Sequence, residues 1–288
     1  FSFSGGIDFI VSSSSFHLLI SSNLIIIRCY LLLFIIINMK LFITLISGGK
    51  DSLLSHNILN KRDDFECVAL AHIAPPNSSL RNKGPQKGPQ IGPQKGTSTP
   101  TPDSDSFMYQ SCCSNLVPSI ASLLNKPLYV YFSDLKTEQT ELQYLPSSAK
   151  DEVEDLYSLL SSVVSRHPSA VAVCVGAIFS TYQRTRVESV CQRLGLQVYA
   201  PLWRTPQAEV LEMIAERGIV ARLVKVCSAG LTARHLMKTT SELRQHFASL
   251  NSRFGFHVAG EGGEYETICF EHPDYSGNLE LHDHTTHS

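Results

Sequence analysis

The chain has 288 residues, 43% of them hydrophobic and 17% charged, with a formal net charge of −2. That length can core one large domain or two small ones, and the near-neutral balance lacks the basic footprint that coating DNA or RNA requires, so nucleic acid is not an expected partner. The eight cysteines (Cys29, Cys67, Cys112, Cys113, Cys174, Cys191, Cys227 and Cys269) form no CxxC pair and sit largely inside apolar stretches, which argues for buried reduced thiols, against zinc, and for a cytoplasmic setting.

Residues 1–38 differ in composition from the remainder of the chain. "LLISSNLIIIRCYLLLFIIIN" is long enough for a membrane span, yet Arg28 interrupts it and no Lys or Arg precedes that residue to make a positive flank. Met39-Lys40 then opens a self-contained strand. The expectation is that the working protein begins at Met39, that 1–38 is a dispensable hydrophobic extension, and that no membrane partner is involved.

Residues 40–47 are a short apolar run stopped by glycine, the pattern of a buried parallel strand. Leu53, Leu54, Ile58 and Leu59 follow at helical spacing, and "ECVALAHIAP" (66–75) reads as a second strand, completing a βαβ unit. Residues 77–106 break the rhythm: "KGPQKGPQIGPQKG" repeats every four residues and predicts a disordered insertion, not collagen, whose glycine recurs every third residue. Order resumes with a helix entered near Pro118 and a strand at 128–132. "DEVEDLYSLLSSVVSRH" is a helix with acids at its start, as the helix dipole prefers. Residues 169–178 and 196–203 read as strands flanking a helix at 186–195. The result is an α/β protein with a doubly wound parallel sheet over 39–203, whose ligands bind outside the C-terminal strand ends. Beyond Trp203 come a helix with Thr205 as N-cap and Pro206 in first position, a strand, a second helix, and "HVAGEGGEYETICFEHPDY". A smaller α+β, substrate-recognising subdomain is expected over 204–275, and a polar tail over 276–288.

Three stretches carry chemistry. The first is Ser-Gly-Gly-Lys-Asp-Ser at 47–52, between a strand and a helix. It is not a Walker A loop, because Thr44 stands where that motif needs glycine, and no G-x-G-x-x-G follows a strand anywhere. Gly48 and Gly49 can present backbone N–H groups to an anion, Ser47 and Ser52 can donate hydroxyls, Lys50 adds charge, and Asp51 can hold the loop or Mg²⁺. The plainer possibility is that Ser47 and Asp51 merely cap a helix. The second is "GAIFSTYQRTRVESVCQRLG" (176–195). Arg184 and Arg186 stand at a helix start, where the dipole disfavours cations, so a compensating anion is expected beside them. Tyr182 and Gln183 are candidates for substrate contact. The third is "GEGGEYET" (260–267), in which Glu261, Glu264, Glu266 and Tyr265 crowd around Gly260, Gly262 and Gly263. Such a loop suits a cationic group, a metal or hydrogen-bond donors.

The pattern SGGxDS resembles the PP-loop of ATP pyrophosphatases of the adenine nucleotide alpha hydrolase-like fold. Together with "MYQ" (108–110), "DEVEDL" (151–156), "VKV" (224–226) and the two longer motifs, in that order, the chain from about 39 to 275 resembles the diphthine–ammonia ligase family. The resemblance implies ATP-dependent amidation of diphthine on translation elongation factor 2, with ammonia as nitrogen donor. AMP and pyrophosphate would be released by way of an acyl-adenylate. It implies ATP and Mg²⁺ as cofactors, with Ser47, Gly48, Gly49, Lys50, Asp51, Ser52 and Gly176 on the nucleotide and Asp51 at the metal. Lys50, Asp51, Arg184 and Arg186 would be catalytic, and Tyr182, Gln183, Glu261, Gly262, Gly263, Glu264, Tyr265 and Glu266 would face the substrate. An acidic loop with a tyrosine face also suits the trimethylammonium group of diphthine. Two rival readings are a tRNA-modifying PP-loop enzyme and a non-enzymatic nucleotide-binding module. The first wants paired cysteines and a basic surface; the second has no use for "GEGGEYET".

Overall fold

In the computed structural model, which describes residues 39–75, 90–91, 108–110, 112–134, 137–142, 144 and 151–280, the apolar runs pair as their composition demands. They are β1 (Lys40–Leu45), β2 (Phe65–Ala74), β3 (Gln90–Ile91), β4 (Leu128–Phe132), β5 (Ala170–Cys174) and β6 (Gln197–Tyr199). Among the described residues they form one sheet in the order β3-β4-β2-β1-β5-β6, with every pairing parallel. Four helices cover it: α1 (Lys50–Asn60), α2 (Val117–Leu123), α3 (Glu152–Arg166) and α4 (Thr181–Arg193).

Consecutive strand residues face opposite sides, and the core follows that alternation. Phe42 packs with Leu53 and Leu54 of α1 and Ile120 of α2. Its neighbour Ile43 packs with Leu156 and Leu160 of α3 and Val187 and Val190 of α4. Both faces are dry, which is why β1 is an unbroken apolar run. The expected doubly wound α/β sheet is therefore what the chain forms. Strand order reverses beside β1, with β2 on one side and β5 on the other, so the crevice at their C-terminal ends is the natural ligand site.

Beyond the sheet lie α5 (Gln207–Glu216), β7 (Val220–Val226), α6 (Arg244–Phe254) and β8 (Tyr265–Glu271), the two strands pairing antiparallel. Pro206, not Thr205, is the N-cap of α5. These elements have no core of their own. Leu211, Ile214, Leu223, Phe247 and Ile268 belong to the same hydrophobic cluster as Phe42, and Lys40–Ser288 is one compact unit. The other unit, Phe1–Met39, lies outside the described residues except for Met39, and the expectation for 1–38 lies there too.

One sequence expectation needs correction. Gln90–Ile91, inside the insertion expected to be disordered, pairs in parallel with Val130 and Tyr131; the free edge of β4 offers backbone groups that an extended segment can satisfy. The rest of 77–106 lies outside the described residues. The polar tail is docked at its start: Ser276 N donates to Leu123 O at 2.8 Å, Leu279 N donates to Phe270 O at 3.1 Å, and Leu279 packs on the core. Residues 281–288 lie outside the described set. Among the described residues, no helix is long and apolar enough to cross a membrane.

One buried polar pair anchors α1 to β1. Thr44 Oγ1 and His56 Nδ1 are 2.9 Å apart, with both residues buried. Burial, reinforced by the charge of nearby His272, pushes His56 down to about 4. The unfolded chain, with an ordinary histidine near 6.5, therefore binds the proton more readily than the folded one. Stability from this site is fully present above about 6.5 and is lost as pH falls toward 4. Urea unfolding at stepped pH should show that loss. His56→Gln should cost about 1 kcal/mol at pH 7 and flatten the acid slope.

Candidate active site

The loop Ser47–Ser52 joins β1 to α1 and folds back on itself. Gly48 has φ +86°, a left-handed conformation that side chains rarely adopt. Gly49 N donates to Ser47 Oγ at 3.2 Å; Ser52 Oγ donates to Gly49 O at 3.0 Å and accepts from Ser47 N at 3.3 Å. The N-cap of α1 is Gly49, with no side-chain capping bond, so Ser47 and Asp51 are not helix caps. Gly176, just past β5, lies against the loop: a Cβ there would sit 2.8 Å from both Asp51 C and Ser52 N. That close approach is why a glycine stands at 176.

β8 closes the other side. Lys50 N donates to Thr267 Oγ1 at 3.1 Å, Cys269 N donates to Gly48 O at 3.0 Å, and Gln110 Nε2 donates to Thr267 O at 3.1 Å. The first and third motifs are thus one structure. Together they wall a cavity of about 500 Å³ lined by Ser47, Gly49, Lys50, Asp51 and Ser52, by Gly176, Tyr182 and Gln183, and by Glu261, Gly262, Gly263, Tyr265 and Glu266. Met108, Tyr109, Leu156 and Val187 give it an apolar end.

Lys50 is 3% exposed. Its ammonium lies 2.7 Å from Asp51 Oδ2 and 5.3 Å over the ring of Tyr265. The Asp51 side chain retains 27% of its accessibility, but into this cavity. Burial raises its carboxyl above the ordinary value, against the opposing pull of Lys50. Asp51 Oδ1 has no hydrogen-bond partner among the described residues. One buried carboxylate oxygen left open at a phosphate-type loop fits Mg²⁺, which takes one or two carboxylates and completes its shell with phosphate and water.

The acidic loop does something other than its composition suggests. Glu261 is bound by the chain itself: its carboxylate accepts from Ile178 N (2.7 Å), Phe179 N (2.6 Å) and Ser180 N (3.1 Å), ahead of α4. A carboxylate therefore sits at the positive end of the α4 dipole, bound to backbone N–H groups. Glu264 Oε1 accepts from His257 N at 3.1 Å and folds over Gly262, closing the loop. Tyr265 is buried, with its hydroxyl donating to Val258 O at 2.6 Å and its ring stacked 4.8 Å from Phe247. Its ring already carries one cation, the Lys50 ammonium. Glu266 pairs with Lys225 at 3.7 Å.

The two arginines also stand elsewhere than expected. Arg184 bonds Glu188 at 2.6 Å and lies 4.5 Å over Trp203, away from the cavity. Arg186 is fully buried. Its guanidinium donates to the carbonyls of Tyr182, Gln139 and Glu141 and stacks 3.3 Å from the Tyr182 ring centroid. Neither lines the cavity, and Arg186 positions Tyr182, which does. Sequence reasoning missed Gln110, Thr267 and His72. The first two sit inside motifs already singled out; His72 is a lone titratable residue near the C-terminal end of an apolar strand.

The Gly176 contact makes a prediction. Gly176→Ala should destabilise the fold by about 1–3 kcal/mol in urea unfolding, because a methyl group would meet backbone. It should also weaken nucleotide binding by calorimetry more than tenfold, since the loop must shift.

Two family models match successive parts of the chain. Residues 103–198 match the family model "Diphthamide synthase N-terminal domain" and residues 206–287 match "Diphthamide synthase C-terminal domain". A diphthine–ammonia ligase of Schizosaccharomyces pombe is 38% identical over 83% of this chain, which spans 36% of that protein. One from Danio rerio is 37% identical over 80% of this chain and 81% of its own length. This chain thus spans about a third of the fungal relative and four fifths of the fish one. Among solved structures, a U34-tRNA thiolase from Methanococcus maripaludis aligns with a TM-score of 0.33 at 15% identity, covering 78% of this chain and 69% of that one.

Proposed function

The chain belongs to the diphthamide synthase (diphthine–ammonia ligase) family, and from that premise we propose that it amidates diphthine on translation elongation factor 2, using ATP and ammonia. The observation that carries the reading is the junction of the two motifs, Thr267 Oγ1 on Lys50 N, which makes one cavity of the phosphate loop and the acidic loop.

A carboxylate is a poor acyl donor until one of its oxygens becomes part of a leaving group. The proposed first step joins the diphthine carboxylate to the α-phosphorus of ATP and expels pyrophosphate. Ammonia then attacks the acyl carbon of that adenylate, AMP departs, and the amide loses a proton to solvent. Ser47, Gly49 and Ser52 line the cavity and would hold the phosphates at the start of α1, giving up bonds they now make within the loop, while Gly48, which does not line it, shapes the turn. Lys50, kept in place by Asp51 and Tyr265, would offset charge as pyrophosphate leaves. Mg²⁺, if held at Asp51, would supply further charge neutralisation on the phosphates. Tyr182, Gln183 and Glu266 line the cavity and are the residues proposed to meet diphthine. Glu261, Arg184 and Arg186 act here as positioning residues. The burial of Cys67, Cys174, Cys191 and Cys269 supports a reducing, cytoplasmic setting.

The test is direct: incubate the chain with ATP, ammonium and diphthine-bearing elongation factor 2, and measure AMP and the amidated product. Ser47→Ala and Asp51→Asn should reduce AMP formation at least a hundredfold with folding retained; turnover near the parent's in either would sink the assignment. A second comparison separates the roles within the acidic loop. Tyr265→Ala should lower affinity for a non-hydrolysable ATP analogue together with activity, because it releases Lys50. Glu266→Gln should leave that affinity within about threefold while amidation falls, as read by calorimetry beside the amidation assay.

A further inference from the structure

His72 is on β2, 3% exposed, at the C-terminal edge of the sheet, and lines the cavity. Its Nδ1 lies 2.8 Å from the carbonyl oxygen of Ile46, the residue immediately before the phosphate loop. A carbonyl oxygen only accepts, so Nδ1 carries the proton and Nε2 presents a lone pair. Nε2 is buried and has no hydrogen-bond partner among the described residues. Buried polar atoms are ordinarily satisfied, and one left open on a cavity wall points to a partner that arrives from outside.

We propose that His72 Nε2 is a specificity-determining acceptor that reads a hydrogen-bond donor on the nucleoside part of the bound nucleotide. The inference rests on the ATP reading above and deepens it. Phosphate oxygens are excluded as the partner, since two acceptors facing each other repel. A proton on Nε2 would lift that exclusion, but burial pushes the imidazole down to about 4, so the ring is neutral at pH 7. The nucleoside of ATP carries two kinds of donor, the ribose hydroxyls and the amino group of adenine. Ile46 ties the ring beside the loop that would take the phosphates, so both lie within one nucleotide's length of it. A nucleotide lacking the matching donor would bury Nε2 unpaired, and such mismatches are rejected more strongly than missing apolar contacts.

The experiment uses the full chain and calorimetry at pH 7.5. The probes are a non-hydrolysable ATP analogue, its 2′-deoxy and 3′-deoxy forms, and the form whose purine lacks the 6-amino group. In the parent, one of the three altered probes should bind about tenfold more weakly than the unmodified analogue. Loss with a deoxy form assigns the ribose, and loss with the 6-unsubstituted purine assigns the base. His72→Phe should weaken the unmodified analogue by a similar factor and abolish its advantage over that one probe. Equal losses in parent and variant would overturn the proposal. Should His72→Phe fail to fold, His72→Gln and the parent series still decide it: a parent that binds all four probes alike refutes it. A parent that binds none of them overturns the nucleotide reading itself, and the role of His72 with it.

Discussion

The architecture of the cavity hangs on a short stitch between residues 217 positions apart in sequence, Lys50 N on Thr267 Oγ1. A helix start has backbone N–H groups with no partner inside the helix, and here β8 takes one of them. The same strand binds the carbonyl of Gly48, the residue at the left-handed turn. The phosphate loop is consequently held from outside as well as by its own serines. Each bond contributes only about 1 kcal/mol, but together they fix the register of β8 against the loop. That register brings Tyr265 under the Lys50 ammonium and the glycines of the acidic loop to the cavity wall.

Charge in the site is largely balanced before any ligand arrives. Lys50 faces Asp51, and Glu261 is ringed by three backbone donors at the head of α4. Such fixed pairs need little rearrangement when charge develops on a substrate, the condition under which electrostatic stabilisation is most effective. They also explain how an acidic loop can border a phosphate loop without repelling its ligand. Two of its carboxylates, those of Glu261 and Glu264, are turned inward onto backbone N–H groups.

Much of this is legible in the sequence, and the limits are physical. Strands buried on both faces announce themselves as apolar runs, and glycines forced by a close approach, as at Gly176, stay inside recognisable motifs. What sequence hides is the identity of backbone partners. Glu261 seeks N–H groups of residues 178–180 and Arg186 seeks carbonyls at 139, 141 and 182; backbone groups carry no letter. From sequence alone, both residues therefore look like ligand contacts. Where the C-terminal elements pack is hidden for a related reason. Amphipathic faces on α5, α6 and β8 show that something must cover them, and the covering surface proves to be the main core. His72 gives no signal because one polar residue in a buried strand has no pattern around it.

The long reach of the Lys50–Thr267 stitch bears on how the protein is made. A ribosome adding roughly 5–20 residues per second needs on the order of 10–40 s to pass from the first half of the cavity to the last strand. During that interval β1 can pair with β2, which lies close in sequence, while its other neighbour β5 follows only at Ala170–Cys174. The wall supplied by β8 does not yet exist. A nascent chain of that length would carry a phosphate loop with one side bare and Lys50 without Tyr265 beneath it. The cavity wall is thus complete only when the strand at Tyr265–Glu271 docks.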